Sequence, residues 1–380
     1  VDVAFLTDAP RVAGSEVWLL EVLPLLAGHG VRPTVFLPQR DTLGELARRL
    51  GEAGVAAQGY TAPSELPERT RAFDLRVLQA WDPATYRDVL PHLTAPRLVI
   101  THDQLDYHYP PPLRGLYREI YRRTKARPMA AAEGLVTVSA WGGAFLREQM
   151  GLRDVGVVTN GVDPLRFRPA RGAERAELRA GFGFGRFTVL VPGRFAPEKN
   201  QLAALRAARH APELDFVFVG DQDSGLGAAT RALRRLLGLG NVRFLARRWD
   251  MPELYRASDA LLQPTLAENQ SLVTLEAMAS GLPVVSTPIP AQRELIADGV
   301  TGLLVPPQGP LLAAALRALA THPERARGIG LAAREHVLGH HTLNHTAAAV
   351  AGVLRGAVAG GASAGFGRPG QWGNRTAAGT

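Results

Sequence analysis

Two clusters of polar residues in this 380-residue chain have types and spacings that could do chemistry. The first is Pro192-Gly193-Arg194-Phe195-Ala196-Pro197-Glu198-Lys199-Asn200. It follows an apolar run, Phe187–Val191, and precedes a helical one, Gln201–Ala208. A strand, a glycine turn, an arginine, a lysine and a helix start together make an anion site. Arg194 and Lys199 bring positive charge, and the turn at Gly193 and the helix start bring N–H donors. The alternative is a solvated Lys199 paired with Glu198. The residue type favours the anion site. Lys125 and Lys199 are the two lysines among 43 basic residues, so a lysine here suggests that a compact ammonium was wanted where the chain otherwise uses guanidinium.

The second cluster follows the run Ala260–Gln263 and carries two glutamates eight positions apart, Glu268 and Glu276. Glu268 falls on a loop. Glu276 falls in a helix that Ser271 can cap and Gly281 can end. That helix is otherwise apolar, so Glu276 stands on a buried or half-buried face, where a carboxylate needs partners. The two hydroxyls of a ribose suit its two oxygens. A single exposed glutamate is the alternative. The helix start at Ser271, Leu272 and Val273 aims its N–H groups and positive dipole end at whatever Glu268 faces.

Clusters of this kind need sheets to hold them. Short, nearly continuous apolar runs occur at Val3–Thr7, Pro33–Leu37, Arg76–Ala80, Leu98–Thr101, Leu135–Ser139 and Val155–Thr159. Six more follow at Phe187–Val191, Phe216–Val219, Val242–Leu245, Ala260–Gln263, Pro283–Thr287 and Leu303–Val305. Strands buried on both faces of a parallel sheet read this way. With helical stretches between them, they predict an α/β protein of two Rossmann-like, doubly wound parallel-sheet domains facing a cleft. The turn residues Asn160-Gly161-Val162-Asp163-Pro164 place the boundary, giving domains 1–163 and 164–330. The Gly/Ala/Ser-rich segment 356–380 reads as a disordered tail.

Composition removes several classes of function. At 46% hydrophobic and 21% charged the chain buries real cores. Without cysteine there is no disulfide, thiolate zinc site, iron–sulfur cluster or cysteine nucleophile. The net charge of +8 comes from a chain rich in arginine, alanine and glycine, so it argues weakly for nucleic acid, and none is expected as a partner. The uncharged stretch Gly299–Leu316 holds three prolines and does not read as a membrane span. With no secretory signal, the expectation is a cytoplasmic protein, with a peripheral position at the inner membrane face as an alternative. That alternative rests on Leu113–Arg127, which holds six basic residues against Glu119. There Leu113, Tyr117, Ile120 and Tyr121 share a helical face beside the basic one, a pattern suited to an anionic membrane surface or a lipid-linked acceptor. An arginine-biased surface helix is the other reading.

His102 and Asp103 follow the strand Leu98–Thr101. His102 is either a catalytic or sugar-binding group or a strand-end histidine satisfied by backbone. Asp103 and Asp106 could line an acceptor pocket or belong to a solvated loop. Asp221-Gln222-Asp223, after the strand Phe216–Gly220, is either a metal-binding Asp-x-Asp or a plain loop, and no metal site is expected.

The GRFAPEKN segment, followed by Glu268-x7-Glu276 in ENQSLVTLEAMASGLPVV, resembles the retaining glycosyltransferases of family 4, also called group 1. VTNGVDPLRFRP and ELIADGVTGLLVPP extend the resemblance across most of 135–307. The resemblance implies the GT-B fold, with the nucleotide sugar held mainly by the second domain and no cofactor. It makes Arg194 and Lys199 the diphosphate clamp, Glu276 the ribose ligand, and Glu268 with Asn269, Gln270, Ser271, Leu272 and Val273 the sugar contact. Gly14 falls in the family's first loop, where Ala13-Gly14 replaces the usual Gly-Gly. His102 falls where such enzymes often carry a histidine near the donor sugar. The base would meet the Leu245–Arg248 loop, including Arg247, with UDP the first choice. A last helix, 331–355, would cross back to the first domain. The chain departs from the family in having Asn269-Gln270-Ser271 where Gly-Phe-Gly commonly stands, so side chains should reshape the sugar pocket.

The expected function is a retaining, metal-independent transfer of sugar from a nucleotide-diphosphate donor to a small-molecule or lipid-linked acceptor. A sugar-nucleotide epimerase of the same architecture and a non-catalytic nucleotide-sugar binder are the alternatives.

Overall fold

The computed structural model describes residues 1–106 and 113–360. They form two compact units. One comprises 1–105, the described chain from Leu113 to Asn160, and the last helix, Leu343–Gly360; the other runs from Gly161 to Thr342, with Asp106 grouped with it.

The first unit holds seven parallel strands: β1 (Asp2–Thr7), β2 (Arg32–Pro38), β3 (Ala56–Tyr60), β4 (Leu75–Gln79), β5 (Arg97–Thr101), β6 (Gly134–Thr137) and β7 (Val155–Val157). Their order is β3-β2-β1-β4-β5-β6-β7, so the chain starts in the middle and winds outward in both directions. Strand β3 escaped the sequence reading. Its Ala-Ala-Gln-Gly-Tyr has no β-branched residue, and it lies at the sheet edge, where burial demands least.

The second unit holds six: β8 (Thr188–Pro192), β9 (Asp215–Val219), β10 (Val242–Leu245), β11 (Ala260–Gln263), β12 (Val284–Ser286) and β13 (Leu303–Leu304). They are ordered β10-β9-β8-β11-β12-β13, again all parallel. The order reverses direction between β8 and β11, which are neighbours in the sheet but not in sequence. Ligands of such sheets bind beyond the strand ends at this switch point. Both chemical clusters leave the sheet there. Apolar residues of β8, β9 and β11 alternate between two cores, one on each face, as continuous apolar strands require.

Two expectations about the C-terminus need correction. The helix expected over 331–355 is two helices, Pro323–His340 and Leu343–Gly360. The chain leaves helical geometry at His341 and Thr342 because their backbone pairs elsewhere. The Val162 N–H donates to the His341 carbonyl at 2.9 Å, and Thr342 bridges to Val162. In the first unit the second of these helices packs on helix Gly14–Leu26. There the Thr346 hydroxyl donates to the Thr159 carbonyl at 2.8 Å. The tail expected from 356 is helical through Gly360, with Ala357 continuing the buried face, and 361–380 lie outside the described residues. No helix among the described residues is long and apolar enough to cross a membrane.

Candidate functional site

Beyond β8 the chain turns sharply. Gly193 has φ of 143° and its N–H donates to the Val219 carbonyl at 2.8 Å. Gly220, at the end of the neighbouring strand, has φ of 152°, and a Cβ there would lie 2.1 Å from the Gly193 carbonyl oxygen. The two strand ends therefore approach backbone to backbone, which glycine alone permits. A single helical turn, Pro197–Lys199, follows, and Asn200 in the left-handed region (φ 51°) redirects the chain into helix Gln201–His210.

The segment after β11 is stitched to this turn. The Leu266 N–H donates to the Glu198 carbonyl at 2.7 Å, and the Thr265 hydroxyl donates to it at 2.9 Å. The Asn200 amide donates to the Pro264 carbonyl at 3.1 Å. Two motifs separated by about seventy residues of sequence thus share one wall.

On that wall Lys199 pairs with Glu268, and Arg194 pairs with Glu198. The sequence alternative, a Lys199–Glu198 pair, is not what forms. Glu198 and Glu268 are both buried and Lys199 nearly so. The donors to Glu268 converge on its Oε1: the Lys199 ammonium and the Gln263 amide at 2.9 Å. No described donor reaches Oε2.

Ser271 caps helix Leu272–Ala279, its hydroxyl accepting from the Thr274 N–H at 3.2 Å. This is the serine standing where the family resemblance suggested glycine. Asn269 and Gln270 are buried, and Leu272 and Val273 half-buried. Glu276, on the same helix, is half-buried, and its Oε2 accepts from the Tyr255 hydroxyl at 2.7 Å. Burial first, then the adjacent carboxylate, pushes the Tyr255 phenol well above its ordinary range, so it stays a donor. Oε2 of Glu276 is thus engaged by the protein itself. Arg247, in the loop after β10, lies over the Trp249 ring at 5.0 Å. Asp221-Gln222-Asp223 is a loop, held by Gln222 donating to the Leu245 carbonyl at 2.8 Å.

The first unit presents its own polar cluster at the ends of β1, β4 and β5. His102 sits edge-on to Trp18 with ring centroids 5.2 Å apart, and its Nε2 lies 3.4 Å from the Gln79 amide. Burial pushes its pKa down to about 4, against a weaker upward pull from Asp103, so the imidazole is neutral at pH 7. Asp103 accepts from Lys125 at 2.6 Å on one oxygen and from the Tyr121 hydroxyl at 3.0 Å on the other. That is a structural knot rather than an open acceptor wall. Asp106 is buried, with φ of 51°. Gly14 begins helix Gly14–Leu26.

Sequence alone does not single out Gln263, Tyr255, Glu198 or Glu16. Gln263 shows only as the end of an apolar run, and Glu198 only as the neighbour of Lys199. Glu16 is fully buried and accepts from Thr7, Ser15, the Ala13 N–H and Trp81. Burial raises its pKa above the ordinary carboxylate value. The signal for Glu16 was present: a glutamate three residues after a helix cap position.

The basic stretch differs from its expected face. Tyr121 is core and Tyr117 half-buried, while Leu113, Leu116 and Ile120 are 57%, 58% and 51% exposed. Glu119 pairs with both Arg122 and Arg123, and Lys125 is committed to Asp103.

Residues 12–166 match the model of Glycosyltransferase Family 4, and residues 186–322 match that of Glycosyl transferases group 1. The chain belongs to this glycosyltransferase family. A D-inositol 3-phosphate glycosyltransferase of Kribbella flavida is 36% identical over 202 residues, covering 49% of this chain and 47% of the relative. One of Thermomonospora curvata is 33% identical over 202 residues, covering 48% and 47%. The matched region thus spans about half the length of these curated relatives. Among solved structures, Anabaena HepE in complex with UDP and glucose superposes with a TM-score of 0.81 at 20% identity, covering 93% of this chain and 99% of that one. Sucrose-phosphate synthase from Thermosynechococcus elongatus gives 0.76 at 20%, covering 93% and 98%. These likenesses establish the GT-B fold for this glycosyltransferase-family chain.

Proposed function

We propose that the chain is a retaining glycosyltransferase that moves a sugar from a nucleotide-diphosphate donor, with UDP the first candidate, to a hydroxyl acceptor. The observation that carries this reading is the Lys199–Glu268 pair on a glycine turn at the switch point. A cation and a carboxylate with an unengaged oxygen stand side by side there. HepE, of the same fold, is known in complex with UDP-glucose.

The chemistry follows from charge. The bond between the anomeric carbon and the diphosphate oxygen breaks, leaving an oxocarbenium-like sugar and a new negative charge on the diphosphate. Positive groups already in place at that oxygen lower the barrier. Lys199 and Arg194 serve there. Each is held by a glutamate in the structure, so an arriving diphosphate shares cations already oriented. The acceptor hydroxyl attacks from the face the diphosphate leaves, and its proton passes to the departing phosphate. Glu268 takes a hydroxyl of the donor sugar through Oε2, and Glu276 takes the ribose. Because the cations come from the chain, turnover should survive EDTA.

A lipid-linked acceptor fits the stripe Leu113, Leu116 and Ile120, which continues into exposed Arg123 and Arg127. Vesicles of anionic lipid should sediment the protein at low salt, and Leu116→Asp should release it.

The test of the function is a thermal-shift screen of nucleotide sugars followed by NMR of the donor pool. Stabilisation by UDP-sugars and transfer or slow hydrolysis of the donor support the reading. Conversion of the donor to its epimer without acceptor would make the chain an epimerase, and binding without any turnover a sensor.

A further inference from the structure

Below the Lys199–Glu268 pair lies a group of buried polar side chains that the chemistry above does not use. Gln263 ends β11 at 4% exposure; Ser271, Thr274 and Gln292 are 4%, 0% and 0% exposed. Polar groups so placed cost stability unless each finds partners, and here they find one another. The Gln263 amide nitrogen donates to Glu268 Oε1 and to the Ser271 hydroxyl, both at 2.9 Å. Its carbonyl oxygen accepts from Thr274 at 2.6 Å, Ser271 at 3.0 Å and the Gln292 amide at 3.4 Å. Gln292 also donates to the Thr274 hydroxyl at 3.3 Å, tying helix Pro290–Leu295 to helix Leu272–Ala279.

The amide has one workable orientation. An ionised carboxylate only accepts, so the NH2 group must face Glu268, and the oxygen must then face the hydroxyls. The oxygen is fixed from three sides and the NH2 group from a fourth. Glu268 therefore meets a donor that cannot swing away. Lys199 alone, on a flexible four-carbon stem, would not fix the plane of the carboxylate. The same amide holds the serine that caps the helix pointing at the site.

We propose that Gln263, locked by Ser271, Thr274 and Gln292, is the positioning residue that pins Glu268 through Oε1 and so presents Oε2 to the donor sugar. This rests on the donor-site reading given above. Gln263 touches no substrate; it acts through Glu268. Its influence should therefore fall on the sugar half of the donor and not on the nucleotide half.

The experiment compares UDP with UDP-glucose, by calorimetry and by donor turnover in the full chain. Gln263→Met, similar in size and without a donor, should leave the UDP Kd within about twofold and lower turnover of UDP-glucose at least about tenfold. Thr274→Val, which removes one lock, should act in the same direction to a lesser degree, and it serves if Gln263→Met folds poorly. Glu268→Gln combined with Gln263→Met should be no worse than Glu268→Gln alone, because both act through one carboxylate. The proposal is overturned if UDP and UDP-glucose weaken together, if neither changes, or if the double variant shows two independent losses. A wild-type chain that binds neither UDP nor UDP-glucose overturns the donor-site reading itself. Wild-type binding with an inert Gln263→Met overturns the positioning role alone.

Discussion

In the first unit Lys125 donates to Asp103 just beyond β5; in the second, Lys199 donates to Glu268 just beyond β11. The two lysine side chains are similarly covered, at 13% and 17% exposure, so burial does not separate them. Saturation does. Asp103 has a donor on each oxygen, and Lys125 also lies 5.9 Å from the centre of the Tyr86 ring. Glu268 receives its donors on Oε1, and Lys199 sits beside the Gly193 turn. A closed ion pair resists unfolding; an open one can do chemistry. The comparison teaches that a rare residue type marks a place where an ammonium matters, without saying for what.

The difference can be broken at its strongest point first. Lys199→Ala should lower donor turnover per folded molecule by about 100- to 1,000-fold, as loss of a group facing developing charge does, and stranding buried Glu268 should also lower stability. Lys125→Ala should leave the chemistry alone. Stranding Asp103 should cost about 3 kcal/mol in denaturant unfolding, with turnover per folded molecule little changed. If both variants lose activity per folded molecule, the distinction between closed and open pairs is wrong.

Glu276→Gln sharpens the second unit. It keeps the acceptor for Tyr255 but loses the charge, and should raise the donor KM about tenfold with a smaller change in kcat. The smallest effect is a pH dependence in the first unit. The His102 pKa of about 4 lies below the value of about 6.5 in the unfolded chain, so the unfolded state binds the extra proton first. Its contribution is therefore complete above about pH 6.5 and is lost as pH falls from there toward 4. Between pH 7 and 5.5 this amounts to about 1 kcal/mol, and His102→Gln should flatten that part of the stability profile. An unchanged profile would place the acid sensitivity elsewhere, for instance at His336, which burial and nearby His340 also push down.

Strand positions were readable because parallel sheets bury both faces and leave unbroken apolar runs, as at Phe216–Val219 and Ala260–Gln263. Strand β3 was unreadable because an edge position tolerates Ala-Ala-Gln-Gly-Tyr. The Arg194, Lys199 and Glu268 cluster was readable because strand, turn and helix start are local and chemically uncommon together. Gln263, Tyr255 and Gln292 were not. A polar residue at the end of an apolar run looks the same whether it meets solvent or a buried carboxylate, and its partners lie elsewhere in the chain. The basic stretch failed for a related reason. Helical periodicity grouped Leu113, Tyr117, Ile120 and Tyr121, but which part of that face met the core depended on strands far away.

Sequence alone determined the layered α/β architecture, the two tandem sheets and the family, because these follow from local pattern and from motifs in order. Tertiary structure alone decided which carboxylate each lysine takes, which oxygens remain open, and where the last helix breaks. Those outcomes depend on side chains from different strands converging on a single atom, and no spacing along one segment encodes that convergence.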